Sequence, residues 1–264
     1  MRRTILYLNT ILCLLCLTLF SIAALGQTTT TANQLGPEPS KADPKADPVA
    51  WNLLKETRET RYYFPPQFGG FTSDVVINDN GKIATAVINY DVGGGADLQF
   101  KGGEVDETSP WVLEAVLNII RHRRSTDFES RDGRYPICFA EDDKAPAGRR
   151  VTVNDTMKSF YRIRDGRVTE VDRTIGGEHF IISVLEEVPA GQGRYLPRHF
   201  TVSYFDAKTG ALTHTDTYMD EYQQVDGLWF PASERIVRAE SGKVITRIIE
   251  FHNPQIRYSK EVKR

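Results

Sequence analysis

From position 48 onward the chain alternates between two kinds of pattern. Asp47-Pro48 is a helix-start signal, an acidic cap followed by a proline that suits the first turn. Trp51, Leu54 and Arg58 then recur at helical spacing up to the aromatic cluster Tyr62-Tyr63-Phe64, where Pro65-Pro66 stops the helix by breaking its hydrogen-bond ladder. A second helix is predicted over Trp111–Ile120, with Ser109 as cap and Pro110 in the first turn. Glu104, Asp106 and Glu107 precede it and Arg121 to Arg124 close it, so charge complements the helix dipole at both ends. Its residues are nearly all apolar, which predicts deep burial.

The remainder reads as strand and turn. Phe71–Ile77 and Lys82–Asp91 flank Asn78 to Gly81, and Phe160–Ile163 and Val168–Asp172 flank Arg164-Asp165-Gly166-Arg167. Phe180–Glu187 follows Gly176-Gly177, and His199–Phe205 and Ala211–Met219 flank Asp206 to Gly210. Trp229-Phe230, Arg235–Ala239 and Val244–Phe251 end the series, with Ser241-Gly242 as a turn. About ten short strands at hairpin spacing with two early helices predict an α+β fold, mostly β. The expected architecture is one curved antiparallel sheet with two helices packed on one face.

The first residues change the picture of where the protein works. Arg2 and Arg3 precede an apolar run from Ile5 to Leu25 that ends in Ala24-Leu25-Gly26, the pattern of a secretory signal peptide over residues 1–26. The competing reading is an uncleaved N-terminal membrane anchor, since the run is long enough to span a bilayer. Residues 27–47 carry four consecutive threonines, three prolines and the repeat Lys41-Ala-Asp-Pro44, Lys45-Ala-Asp-Pro48, and predict a flexible linker. A single β-rich domain is expected over 48–257 and a short tail over 258–264. The protein is therefore expected to be exported, periplasmic or secreted.

Composition then excludes whole classes of function. The 264-residue chain has 33 basic and 35 acidic side chains, and loss of Arg2 and Arg3 makes it more acidic still. No large basic surface for nucleic acid is expected. Of three cysteines, Cys13 and Cys16 fall in the apolar run, leaving Cys138, which sits in an apolar stretch as a buried thiol. An internal disulfide and thiol–metal sites are excluded for the exported part. Beyond residue 26 no G-x-S-x-G, H-E-x-x-H or C-x-x-C pattern occurs. No metal and no cofactor is expected.

Three constellations remain. Arg121-His122-Arg123-Arg124 reads either as an anion site for phosphate, carboxylate or a lipid headgroup, or as cations that satisfy a helix C-terminus. His214, Asp216, Tyr218 and Asp220 alternate, so in a strand they share a face at steps of about 6.5 Å. That row offers a histidine oriented by a carboxylate, or a half-solvated strand face. With a simple hairpin over 206–210, His214 faces Val202 and Asp216 faces Phe200, which adds no further ligand. Gly93 to Gly95 with Gly102-Gly103 read as a hairpin loop, and Glu141-Asp142-Asp143 as a solvated loop.

Several stretches also resemble a known family. Gly70-Phe-Thr-Ser-Asp74, His122-Arg-Arg with Phe128-Glu129, Tyr161-Arg-Ile-Arg-Asp165 with Asp172-Arg173, and Tyr222 to Pro231 resemble the bacterial and plastid domain of unknown function three-three-eight-six. That family implies no activity and no catalytic residue. The segment Val225-Asp-Gly-Leu-Trp-Phe-Pro231, followed by Arg235-Ile236 and a strand to Phe251, is similar to the last strands of LolA-type lipoprotein carriers. The likeness implies a half-barrel wrapped around helices that hold acyl chains. Three functions are weighed on this basis. The first is a non-enzymatic exported carrier of an apolar or amphipathic ligand, with Trp111, Leu113, Phe200, Val202, Tyr204, Trp229 and Phe230 facing the sheet–helix interior and transient contact with a membrane surface. The second is an envelope hydrolase using His214 and Asp216, and the third an interaction module with no small ligand.

Overall fold

The computed structural model describes residues 46–105 and 110–259, all within one compact unit, Asp43–Arg264. The signal-peptide and linker expectations, the Ser109 cap, Asp106, Glu107 and the last residues of the tail lie outside the described residues. Two helices, α1 (Pro48–Glu59) and α2 (Trp111–Arg121), accompany β1 (Phe68–Asp79), β2 (Lys82–Asp91), β3 (Gly95–Gly103), β4 (Ile137–Phe139), β5 (Arg149–Val153) and β6 (Phe160–Arg164). They are followed by β7 (Arg167–Ile175), β8 (Glu178–Pro189), β9 (Tyr195–Asp206), β10 (Leu212–Val225), β11 (Leu228–Glu240) and β12 (Lys243–Tyr258). All twelve strands form one antiparallel sheet in the order β3-β2-β1-β12-β11-β10-β9-β8-β7-β6-β5-β4. The sheet does not close, so β3 and β4 are its edges, and the fold is an α+β half-barrel.

Local chemistry explains the regularity. Five hairpins turn on two residues with positive φ, as at Asn80-Gly81 (53° and 97°) and Asp226-Gly227 (49° and 78°). These turns match the right-handed twist of their strands. Bulges at Thr72/Asp74, Val184/Glu186, Leu212/His214 and Glu221/Tyr222 bend the long strands into the curve. The Asp47 carboxylate caps α1 by accepting from the Val49 and Ala50 amides at 2.8 and 3.3 Å.

Both helices lie on the same face, and the register proves it residue by residue. Cross-strand partners share a face of the sheet. Ile77, in the core beneath α2, pairs with Ile249, and Ile249 with Glu234. The same face runs through Glu234–Asp220 and Arg238–Asp216, then Asp216–Val202 and Val202–Ile182. It continues by Ile182–Val171, Val171–Tyr161 and Tyr161–Val151, the last two residues lying in the core beneath α1. The apolar interior is thus divided. One core gathers Phe71, Ile77, Val112, Val116, Phe230 and Phe251 around α2. The other gathers Leu54, Ile137, Val151, Val153 and Ile163 around α1. A fully buried side chain such as Leu54 contributes about 1.5–3 kcal/mol.

Several sequence expectations need correction. Of the glycines read as a hairpin loop, Gly93 and Gly94 do turn between β2 and β3, but Gly95, Gly102 and Gly103 belong to β3, where Leu98 and Phe100 pack on the α2 core while the backbone pairs with β2. Helix α1 ends at Glu59, ahead of the aromatic cluster; Tyr62 and Phe64 instead make backbone bonds to Tyr195 and Arg123. Trp229-Phe230 and Arg235–Ala239 are one strand, β11. The β9–β10 register is two residues off the simple hairpin: the turn closes on Asp206 and Ala211, setting Leu212 opposite Phe205, and the bulge at Leu212/His214 adds one residue more, so His214 faces Tyr204, Asp216 faces Val202 and Tyr218 faces Phe200. Cys138 is half-buried on edge strand β4, and burial raises its thiol pKa.

Candidate functional site

Between the two cores no helix among the described residues lies over the concave face of β7 to β11. Its side chains form a floor of part-exposed aromatic and aliphatic groups. Phe180, Tyr204 and His214 line up across three strands, with Tyr204 and His214 stacked at 4.2 Å and Phe180 6.1 Å from Tyr204. Phe200 stacks on Tyr218 at 4.7 Å with rings nearly parallel. Ile182, Val184 and Ile236 fill the spaces between these rows, all half-buried. Burial holds the Tyr204 and Tyr218 phenols above their ordinary pKa, so both are neutral in this apolar setting.

Charged groups are set into this floor. Arg238 holds Asp216 with two hydrogen bonds of 2.7 Å, Nε to one carboxylate oxygen and Nη2 to the other. Further along, Asp220 and Glu234 are direct cross-strand neighbours, both buried. Burial raises the pKa of each, and the Asp220 charge beside Glu234 raises Glu234 further. Arg123 lies 3.5 Å from Asp220 and over the Tyr222 ring at 4.6 Å, while the Tyr222 hydroxyl donates to Asp220 at 3.1 Å.

The cationic run after α2 divides in two. Arg121 and Arg124 are exposed and act on Tyr90 at the α2 core's edge. His122 and Arg123 turn inward. His122 is open to water yet enclosed by the fold, a combination that describes a solvent-filled recess. That enclosure, together with Arg61, Arg123, Arg173 and Arg58, lowers its pKa to about 4. On the α1 side, Arg58 pairs with Asp132 at 2.7 Å, Tyr161 donates to the same carboxylate oxygen at 3.2 Å, and Arg173 donates to the Tyr161 hydroxyl.

The sequence candidates therefore part company. Phe200, Val202, Tyr204, His214 and Asp216 come together on one face. Phe230 does not join them; it is 0% exposed in the α2 core, packed on Phe71 and Phe251, and lines no opening. Trp111 is likewise buried there, donating to Asp79 at 3.0 Å beneath Arg247, and Leu113 is half-buried on α2. Trp229 lines a separate cleft of about 910 Å³, with Tyr63, Pro66, Arg58, Arg194 and Gln224. His214 and Asp216 are not a catalytic pair in geometry, because both Asp216 oxygens serve Arg238 and the His214 Nδ1 meets the Thr213 hydroxyl at 3.1 Å. The acids Asp142 and Asp143 bind Lys144, Arg149 and Arg162 around their loop. Among the described residues no group of three potential metal-ligating side chains converges. Sequence reasoning missed Arg61, Arg173, Tyr161 and Glu234 as site residues. For Tyr161, Arg173 and Glu234 the only signal was inward placement in alternating strands, which needs the register to be read, and Arg61 sits outside the strands, on an isolated bridge to Tyr195.

No curated protein matches the chain. Among solved structures it is similar to a domain described as an outer membrane lipoprotein-sorting protein from Vibrio parahaemolyticus, at 10% identity and TM-score 0.33 over 81% of this chain and 94% of that one. It is also similar to a DUF1329 family protein from Desulfovibrio piger, at 9% identity and TM-score 0.25 over 82% and 93%. A third is from the MucA/MucB complex of Pseudomonas aeruginosa, at 11% identity and TM-score 0.20 over 81% and 100%. Superpositions at these scores are loose. The family model described as protein of unknown function (DUF3386) matches residues 45–256, nearly all of the folded part, and the chain belongs to that family.

Proposed function

We propose that this protein is an exported, non-enzymatic binding or carrier protein for an amphipathic, lipid-like ligand held on the concave face of the half-barrel. The observation that carries the reading is the gap between the two cores. A sheet normally buries its apolar face, yet here the rows Phe180–Tyr204 and Phe200–Tyr218 lie part-exposed, with no helix among the described residues above them. The N-terminal 26 residues, read as a signal peptide, and the following linker fit an envelope location, periplasmic or secreted. The leader kept as an anchor would instead hold the domain beside a membrane.

Native mass spectrometry of protein purified gently from its own envelope tests the reading. The expected result is an adduct of lipid mass that is lost on organic extraction and regained on adding back the extract. A bare polypeptide mass, together with no uptake of an environment-sensitive acyl probe, would overturn it.

A further inference from the structure

The recess between the two cores carries more positive charge than its own residues balance. Arg58 and Arg61 come from the end of α1, Arg123 from the end of α2, and Arg173 from β7. Facing these four guanidinium groups are the carboxylates of Asp132, paired with Arg58 at 2.7 Å, and Asp220, 3.5 Å from Arg123. Glu234 is buried directly opposite Asp220, where burial and the Asp220 charge raise its pKa; even counted as charged it leaves the four guanidinium groups in excess. Glu187 lies near Arg61 but is already paired with Arg167 at 3.6 Å. Arg61 and Arg173 make no ion pair among the described residues.

Hydrogen bonding is equally incomplete. The Nε atoms of Arg61 and Arg173 and one terminal nitrogen of Arg123 are buried without a hydrogen-bond partner among the described residues, and Arg123 as a whole is only 4% exposed. An orphaned buried donor destabilises the fold, and an uncompensated buried charge does so more strongly. A bound oxyanion would offset both, and the planar guanidinium fork matches phosphate or carboxylate oxygens in pairs. The cations also adjoin the apolar floor directly, since Arg173 on β7 is the cross-strand partner of Phe180 on β8.

We propose that Arg61, Arg123 and Arg173 form an anion site that seats the phosphate or carboxylate headgroup of the ligand, whose apolar part lies along the Phe180–Tyr204 and Phe200–Tyr218 rows. This rests on the carrier reading and adds to it a charge and an orientation. The headgroup sits at the recess between α1 and α2, and the chain runs out over β8 to β10.

The test compares three probes on the full protein after organic extraction: 1-oleoyl lysophosphatidic acid, 1-oleoylglycerol and inorganic phosphate, each titrated calorimetrically below its aggregation concentration. The anionic oleoyl probe should bind at least about tenfold more tightly than the neutral one, a difference of about 1.4 kcal/mol. The R61Q/R173Q double variant should lose that preference while its affinity for 1-oleoylglycerol is unchanged. R61K/R173K, which keeps the charge, should retain part of it. If the double glutamine variant does not fold, the single variants R61Q and R173Q are read in the same way. Equal binding of both oleoyl probes would overturn the anion site and leave the carrier reading standing. A preference that survives in folded R61Q/R173Q would overturn the assignment to these arginines. Binding of phosphate alone, with neither oleoyl probe bound, would overturn the headgroup assignment and the carrier reading together, leaving a site for the free anion.

Discussion

Arg238 on β11 grips both carboxylate oxygens of Asp216 on β10 at 2.7 Å, and Asp216 is 1% exposed. The β10–β11 register puts the two residues directly opposite each other, so the pairing is fixed by the sheet. No hydrogen bond among the described residues joins that carboxylate to His214, two residues back on the same face, whose Nδ1 meets the Thr213 hydroxyl instead. The alternating row is therefore built for the sheet's integrity.

Removing the arginine should expose that role. Arg238→Met leaves a buried carboxylate unpaired and is expected to cost about 2–4 kcal/mol, the lower part of the range for a broken buried pair because Arg238 itself is partly solvated. His214→Ala removes one ring from a part-exposed stack and should cost under about 1 kcal/mol. Urea unfolding of the two variants gives the comparison, and equal losses would contradict the division of roles.

What the sequence carried, and what it hid, divides along the same line. The helices were legible because their signals are local: the Asp47 cap, Pro48, and the apolar run from Trp111. Most strands were legible because turn residues such as Asn80-Gly81 and Asp165-Gly166 punctuate them. Strand β3 was hidden because Gly95, Gly102 and Gly103 carry no alternation, and the stretch is ordered by pairing with β2. A bulge at Leu212/His214 leaves no mark in composition, yet it changes every partner of the His214 row. The arginine recess was hidden most deeply. Arg123 stood out in the cationic run after α2, but Arg61 and Arg173 are unremarkable in their own segments, and no local pattern joins the three.

The carboxyl pair Asp220–Glu234 predicts how stability varies with pH. Burial, and for Glu234 the neighbouring Asp220 charge, raises both pKa values above those of the unfolded chain. The folded state then binds more protons than the unfolded state, so this contribution is fully present below about pH 4.5 and is lost as pH rises through the folded pKa. Glu234→Gln cannot ionise. Its melting temperature should exceed that of the parent at pH 8 and converge with it near pH 4.5. A difference that does not change with pH would refute the raised pKa values.

His122 runs the other way. Its pKa, lowered to about 4 by enclosure and the surrounding arginines, means that the folded state binds fewer protons than the unfolded chain between about pH 6.5 and 4. Stability from this group is present above the unfolded value and is lost as pH falls. An NMR titration of the ring protons should place the free protein's midpoint near 4, and His122→Gln should be the flatter variant in acid melts. Adding 1-oleoyl lysophosphatidic acid should move the midpoint upward, because an anion among the arginines cancels the repulsion felt by the imidazolium. A midpoint near 6.5 in the free protein would remove the recess from the description of the site.

Two phenylalanines separate core from groove. Phe230 is 0% exposed, edge-on to Phe71 at 4.9 Å and to Phe251 at 5.9 Å, so truncation opens a cavity that its rigid neighbours cannot fill. Phe230→Ala should cost about 3–5 kcal/mol. Phe200 is half-buried on the uncovered face, and its chief partner is the parallel Tyr218 ring at 4.7 Å. Phe200→Ala should cost about 1–2 kcal/mol, since water can reach the space it leaves and no sealed cavity forms. Binding should rank the two in the opposite order. Phe200→Ala should weaken 1-oleoylglycerol by about three- to tenfold, the equivalent of about 0.7–1.4 kcal/mol of lost apolar contact, while Phe230→Ala, studied well below its melting temperature, should leave affinity near the parent value. If the buried residue governed binding and the exposed one governed stability, the ligand surface would have to lie under α2, and the open floor of β8 to β10 would need another explanation.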